Sequence, residues 1–252
     1  MLMYKNYLFD LDGTLLPMDM EKFVNLYFSS LCKRCTPVIK IEPDALIKAM
    51  WAGTDAMTKN DNSRTNREVF WETAGKVSGA DLEKFDDLFT DYYENEFIVP
   101  KDATSFTPYA KKSIDFIKKN GGRLIAATNP IFPFVATKRR LEWAGVSPDD
   151  FELVTTYENF GCCKPNLKYF EEICKGNEWF GNTRKEFVLI PLTETHYNSD
   201  FILVGEQIKA SNEKILLSIA LLILLIAAGI VLFVFILLIN ASFSVLKRRE
   251  QQ

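Results

Sequence analysis

Asp10 and Asp12 stand one residue apart in "NYLFDLDGTLLP", residues 6–17, where an apolar run gives way to Gly13. Tyr7, Leu8 and Phe9 read as the end of a short buried strand, and glycine is the residue type that stops one. Two carboxylates this close repel each other, so ionising both is unfavourable unless a cation lies near. One reading is a polar turn at a strand end. The other is a magnesium site in which one aspartate is also a nucleophile, because hard cations take carboxylate oxygens.

Two further groups share that chemistry. Thr128 and Asn129 close the apolar run "RLIAATNP" (123–130), and Lys164 lies between "FELVTTYE" (151–158) and "KPNLKYFEEICK" (164–175). Each alone reads as an ordinary turn or solvated residue. If the runs are strands of one parallel sheet, all these residues fall at its C-terminal edge, where such sheets bind ligands. Together they make a phosphate site. The carboxyl groups hold a cation, the threonine hydroxyl and nearby amides meet phosphate oxygens, and the lysine neutralises charge.

The elements that must position these residues follow from hydrophobic periodicity. Segments 18–33, 43–52, 64–78 and 81–97 carry apolar residues three and four apart, such as Leu82, Phe85, Leu88 and Phe89, which is the spacing of one helix face. "TPYAKKSIDFIKKNGG" (107–122) predicts a helix with a glycine stop, and 132–146 a second one closed by Gly145. A third starts with Pro165 in its first turn. Strand and helix alternate, so the fold class is α/β, a Rossmann-like parallel sheet with crossover helices. Residues 1–16 and 100–175 form its core, 17–99 a helical insertion and 176–213 a connecting segment of uncertain role.

A net charge of −3, with Lys and Arg scattered, gives no nucleic-acid surface. The five cysteines are an odd count that does not suggest a disulfide framework. No signal peptide is read at the start, so the first three quarters read as a reduced, cytosolic protein. Cys32 and Cys35 form a C-x-x-C with no strand before it and read as packing. Cys162 and Cys163 fall near the phosphate pocket, and His196 is the single histidine. Trp51 and Trp71 read as core of the insertion.

The last quarter differs. Residues 216–239 hold no charged group in 24 positions, and as a helix they would be about 36 Å long, enough to cross a bilayer core. This predicts a single-pass membrane protein contacting lipid, with a transmembrane helix over 214–240 and a basic tail over 241–252. Lys247, Arg248 and Arg249 pull the C-terminus to the cytoplasm. That conflicts with the expected cytoplasmic placement of the catalytic part, and leaves the orientation undecided.

"FDLDGTLL", "AATNP" and "CCKPNLKYF", in that order, resemble the first three motifs of the haloacid dehalogenase superfamily over about residues 4–175. The long gap between the first two is where that superfamily often inserts a helical cap. The resemblance implies a Mg²⁺-dependent phosphatase-type hydrolase acting on a small phosphorylated metabolite. Asp10 would be the nucleophile that forms an aspartyl-phosphate, and Asp12 the general acid and then base. Asp10, together with the Asp12 backbone carbonyl, would ligate the metal, and Thr128, Asn129 and Lys164 would bind the phosphoryl group. Asp12 argues against a carbon–halogen hydrolase, which does not need that acid.

The fourth motif, an apolar strand ending in Gly-Asp with another acid soon after, is not matched. "EFVLIPLTETH" (186–196) ends its apolar run in Pro191, and Gly205-Glu206 is the nearest substitute, with Glu206 a candidate metal ligand and Glu194 and Asp200 weaker ones. The alternative function is therefore a catalytically impaired domain of this type fused to a membrane segment. "NASFSVLKRREQ" after the apolar stretch resembles a transmembrane edge of ABC-type lipoprotein-release permeases. The residues after about 176 are accordingly expected to be a joined segment. Sequencing the encoding DNA across codons 170–190 in an independent isolate checks this: a break in the frame is expected, and an identical unbroken frame contradicts it.

Overall fold

A strand at the centre of a parallel sheet is covered on both faces, so its side chains must tolerate burial throughout. Asn6–Phe9 meets that demand, with all four residues buried. In the computed structural model, which describes residues 5–175 and 187–190, this segment is β1. It pairs in parallel with β2 (Arg123–Ala126) on one side and β4 (Phe187–Ile190) on the other. β3 (Leu153–Val154) extends the sheet beyond β2, giving the order β3-β2-β1-β4. The α/β class with a small parallel sheet is therefore observed. Leu8 lies opposite Ile125 and Leu189, so β1, β2 and β4 end level and release their chains at one edge.

Between β1 and β2 the chain forms α1 (Met20–Ile39), α2 (Pro43–Thr58), α3 (Asn66–Ser78), a 3-10 turn (Leu82–Phe85) and α4 (Asp86–Asn95). A second 3-10 turn and α5 (Pro108–Lys119) then lead into β2. α6 (Phe134–Trp143) and α7 (Leu167–Lys175) follow β2 and β3. Local chemistry sets these ends. The Asp19 carboxylate accepts from the Lys22 amide at 3.0 Å to start α1. Thr65 and Glu68 form a capping box at α3, and Thr107 caps α5 ahead of Pro108.

Several boundaries differ from expectation. α1 passes residue 33 and ends at Lys40, whose left-handed backbone (φ 61°) lets its amide reach the Thr36 carbonyl at 2.8 Å. Pro37 sits inside its last turns. The 81–97 segment breaks into the 3-10 turn and α4. Pro165 precedes α7 by two residues instead of opening it. β3 keeps only two residues, because the Thr156 amide and the Val154 carbonyl are taken by the Asn159 side chain.

The insertion and the sheet share a core. Tyr27 of α1 packs edge-on to Phe132, and Phe97 stacks on Trp143 of α6 with ring centroids 5.2 Å apart. The Tyr27 and Tyr93 hydroxyls bond each other at 2.8 Å, and Ser30 Oγ bonds the Tyr92 hydroxyl at 2.7 Å, so the buried phenols keep partners. Cys32 and Cys35 are free and buried in mid-helix, and burial pushes the Cys35 thiol up to about 12. Trp71 is buried as expected, whereas Trp51 is 50% exposed.

The fourth strand is present as β4, and the sequence that follows it is Pro191-Leu192-Thr193-Glu194. Glu194, His196, Asp200, Glu206, the expected transmembrane helix over 214–240 and the basic tail lie outside the described residues. Among the described residues, no helix is long and apolar enough to cross a membrane.

Gly53 controls the closest helix pair. A Cβ there would lie 2.5 Å from the Phe70 ring of α3, so α2 and α3 can approach this closely only around glycine. Gly53→Val should destabilise the fold by about 1–3 kcal/mol through overpacking. Urea denaturation of wild type and variant checks this, with a lower midpoint and an unchanged slope as the expected result.

Candidate active site

The turn after β1 builds the first part of the site. Gly13 holds φ at +76°, and the Leu16 amide returns to the Leu11 carbonyl at 2.9 Å. This tight loop presents Asp10 and Asp12 at the C-terminal edge of the central strand. Thr14, on the same loop, donates to Asp10 Oδ2 at 3.1 Å.

The loops after β2 and β3 converge on Asp10. Lys164 Nζ lies 2.5 Å from Asp10 Oδ1 and 2.8 Å from the Ala127 carbonyl. Thr128 is buried next in the chain, and its carbonyl accepts from Thr155 Oγ1 at 2.7 Å and from the Tyr169 hydroxyl at 2.9 Å. Asn129 joins the site through Oδ1, which accepts from the Lys164 amide at 3.0 Å. Of the residues expected from sequence, Asp10, Asp12, Thr128, Asn129 and Lys164 thus come together, whereas Glu206 lies outside the described residues.

Asp12 has a cation of its own. Arg140 Nη1 donates to Asp12 Oδ2, while its other donors reach the Ala136 carbonyl and Thr137 Oγ1 at 3.4 and 3.2 Å. The guanidinium stacks 4.3 Å above the Phe132 ring, and the whole residue is only 1% exposed. The sequence reading had a magnesium ion relieving the repulsion between the two carboxylates. In the structure each carboxylate also meets a side-chain cation, Lys164 at Asp10 and Arg140 at Asp12.

Burial raises the Asp12 pKa, with the Asp10 charge adding to the shift, while Arg140 and Lys164 oppose it. Asp12 Oδ1 is buried and has no hydrogen-bond partner among the described residues.

Arg140 escaped the sequence reading, though a signal existed. Ala136, Thr137, Arg140, Leu141 and Trp143 are the buried positions of α6, at helical spacing, so an arginine falls on an otherwise inward face. Asn66 was also missed. Fully buried at the start of α3, its Nδ2 donates to the Pro130 carbonyl at 2.9 Å and lies 3.4 Å from Cys163 Sγ. It thereby ties the insertion to both loops that carry Asn129 and Lys164. Tyr169 and Thr155, which hold Thr128, carry no pattern that marks them in the sequence.

No protein-family model matches the chain, and no curated protein does. Solved structures resemble it weakly. A HAD phosphatase from Thermococcus onnurineus is 20% identical, covers 68% of this chain and 72% of its own, and has a TM-score of 0.39. A putative HAD-hydrolase from Bacillus subtilis, described as bound to magnesium, is 16% identical over 74% and 77%, with a TM-score of 0.42. An L-2-haloacid dehalogenase from Xanthobacter autotrophicus is 14% identical over 74% and 69%, at 0.39. None of these three is named as a permease. Similarity at this level adds nothing to what the geometry itself establishes.

The donors fit magnesium in kind. This ion is commonly held by one or two carboxylates, with water and substrate phosphate completing its shell. The Asp10 carboxylate is such a donor, and the Asp12 backbone carbonyl is an oxygen of the same hard kind. Among the described residues, no group of three or more acidic, Cys or His side chains is placed to hold a metal ion.

Arg140→Met leaves Asp12 without its counter-charge inside the protein. Breaking a buried ion pair from one side costs about 3–5 kcal/mol, lowered here by whatever fraction of Asp12 is protonated. Chemical denaturation should show a loss of roughly 3 kcal/mol, and Arg140→Met/Asp12→Asn should recover part of it.

Proposed function

We propose that the chain is a phosphatase-type hydrolase of the haloacid dehalogenase kind, using Asp10 as nucleophile and Mg²⁺ as cofactor. The observation that carries this is the convergence of three strand-end loops on one carboxylate. Asp10 meets Lys164 at 2.5 Å, and Lys164 is anchored in turn on the Ala127 carbonyl beside Thr128. A nucleophilic carboxylate, a fixed cation and a buried threonine at one sheet edge suit the charge of a transferring phosphoryl group.

In this reading one oxygen of the Asp10 carboxylate attacks phosphorus while the bond from phosphorus to the ester oxygen breaks. Asp12, whose hold on a proton burial strengthens, acts in its protonated form and gives that proton to the departing oxygen. Water then attacks the phosphorus of the aspartyl-phosphate, passes a proton to Asp12, and the bond to Asp10 breaks. Inorganic phosphate leaves, and both aspartates return to their starting states. Thr128 and Lys164 hold the phosphoryl oxygens, Asn129 keeps Lys164 in place, and Arg140 orients Asp12. Asp10 and Asp12 would hold the magnesium ion, which when bound neutralises phosphoryl charge and aligns the ester with Asp10.

A second reading has an observation of its own. Both carboxylates already possess cations, and the described residues supply no third acid. A domain that keeps the fold without turnover would look the same.

Release of p-nitrophenol from p-nitrophenyl phosphate by the full chain in detergent separates the two readings. Turnover should disappear with EDTA, return with Mg²⁺, and fall about 10³-fold or more in Asp10→Asn. Asp12→Asn should lose far more rate on an alkyl phosphate than on this aryl ester, whose leaving group needs less protonation. Folded wild type without turnover above Asp10→Asn would support the second reading.

A further inference from the structure

Beside Asp12, the helical insertion and the core enclose a cavity of about 300 Å³. Its wall is aromatic, with Phe23, Phe28, Trp51, Phe89 and Phe132 among its residues, and among the described residues no Lys, Arg or His lines it. Much of the polar chemistry in the wall is already engaged. Tyr27 and Tyr93 bond each other at 2.8 Å, Thr54 donates to the Met50 carbonyl at 2.9 Å, and Asp86 accepts from Arg67 at 2.9 Å. Asp12 is the single member of the Asp10, Asp12, Thr128, Asn129 and Lys164 group that lines it.

From this we infer that the cavity takes the organic group of a phosphate monoester whose alcohol is apolar, an aryl or isoprenoid chain, with the ester oxygen at Asp12. The inference rests on the proposed roles of Asp10 and Asp12. It narrows the expected substrate from any small phosphorylated metabolite to one class. A sugar or polyol would lose water from several hydroxyls, while Asp12 Oδ1 and Trp71 Nε1 are the buried lining atoms left without a partner, and hydroxyls left unpaired are costly. A second anionic group would find the carboxylates of Asp12 and Asp86 and no lining cation. An aryl or branched apolar chain gains from burial against the rings. The volume lies at the lower end of small-molecule pockets, which suits a group of one or two rings or a short isoprenoid.

Trp51→Ala leaves the core intact, because Trp51 is 50% exposed while its ring lies 5.4 Å from that of Phe28. Thr90 is also exposed and lines the cavity, so Thr90→Lys brings a cation to the wall without disturbing buried packing. Calorimetric titration with 2-naphthol, on the full chain and both variants in one detergent, reads the cavity alone, since partitioning is common to all three. Binding should weaken about tenfold or more in each variant. Hydrolysis then compares 2-naphthyl and geranyl phosphates with glycerol 3-phosphate and glucose 6-phosphate. The two apolar esters should exceed the polar ones in kcat/KM by about tenfold or more.

Absent naphthol binding, binding by both variants as tight as by the wild type, or better turnover of the polar esters would overturn the inference. Naphthol binding that the variants weaken, without turnover of any ester, would support the apolar occupant and reject the phosphatase reading. The two failures are therefore distinguishable.

Discussion

Carboxylates at the end of a buried central strand need cations, and this constraint shapes the rest of the molecule. Asp10 and Asp12 sit where Phe9 leaves the sheet, close enough in the chain for their charges to repel. Lys164 supplies the charge at Asp10 and Arg140 the charge at Asp12. Both arrive from more than a hundred residues away in the chain, one after β3 and the other from α6. The parallel topology makes this possible, because every crossover returns its strand end to the same edge. Long-range pairing of this kind stabilises little on net, since desolvation offsets most of the attraction. Its effect is to fix which oxygen faces which cation.

The helical insertion is tied into that arrangement. Asn66 bonds the Pro130 carbonyl beside Asn129 and contacts Cys163 beside Lys164, and the Arg67 amide donates to the Tyr157 carbonyl at 2.8 Å. Gly161 allows the approach, because a Cβ there would stand 2.3 Å from the Arg64 carbonyl. Phe132 faces two ways. Its ring carries the Arg140 guanidinium and also lines the cavity, so the packing that holds the cation on Asp12 is continuous with the wall offered to a ligand.

The sequence displays some of this and hides the rest for physical reasons. Asp10, Asp12, Thr128 and Lys164 are legible because polar residues at the ends of apolar runs stand out, and the alternation of runs implies a parallel sheet. α2, α3, α5 and α6 show because their apolar faces repeat at helical spacing. Arg140 is hidden because an arginine in "ATKRRLEW" reads as solvated unless the buried face of the helix is drawn first. Lys40 capping α1 and Asn159 truncating β3 depend on single side-chain bonds that no pattern announces. Trp51 as a half-exposed wall residue depends on how the helices of the insertion meet.

The most direct measurement is a search for the covalent intermediate. The full chain is mixed with p-nitrophenyl phosphate and Mg²⁺, quenched in acid within the first turnover, and its peptides are examined by mass spectrometry. The account predicts a phosphoryl group on the peptide carrying Asp10, removed by hydroxylamine as an acyl phosphate should be and missing from Asp10→Asn. Turnover with no adduct, or an adduct on any other residue, would contradict it.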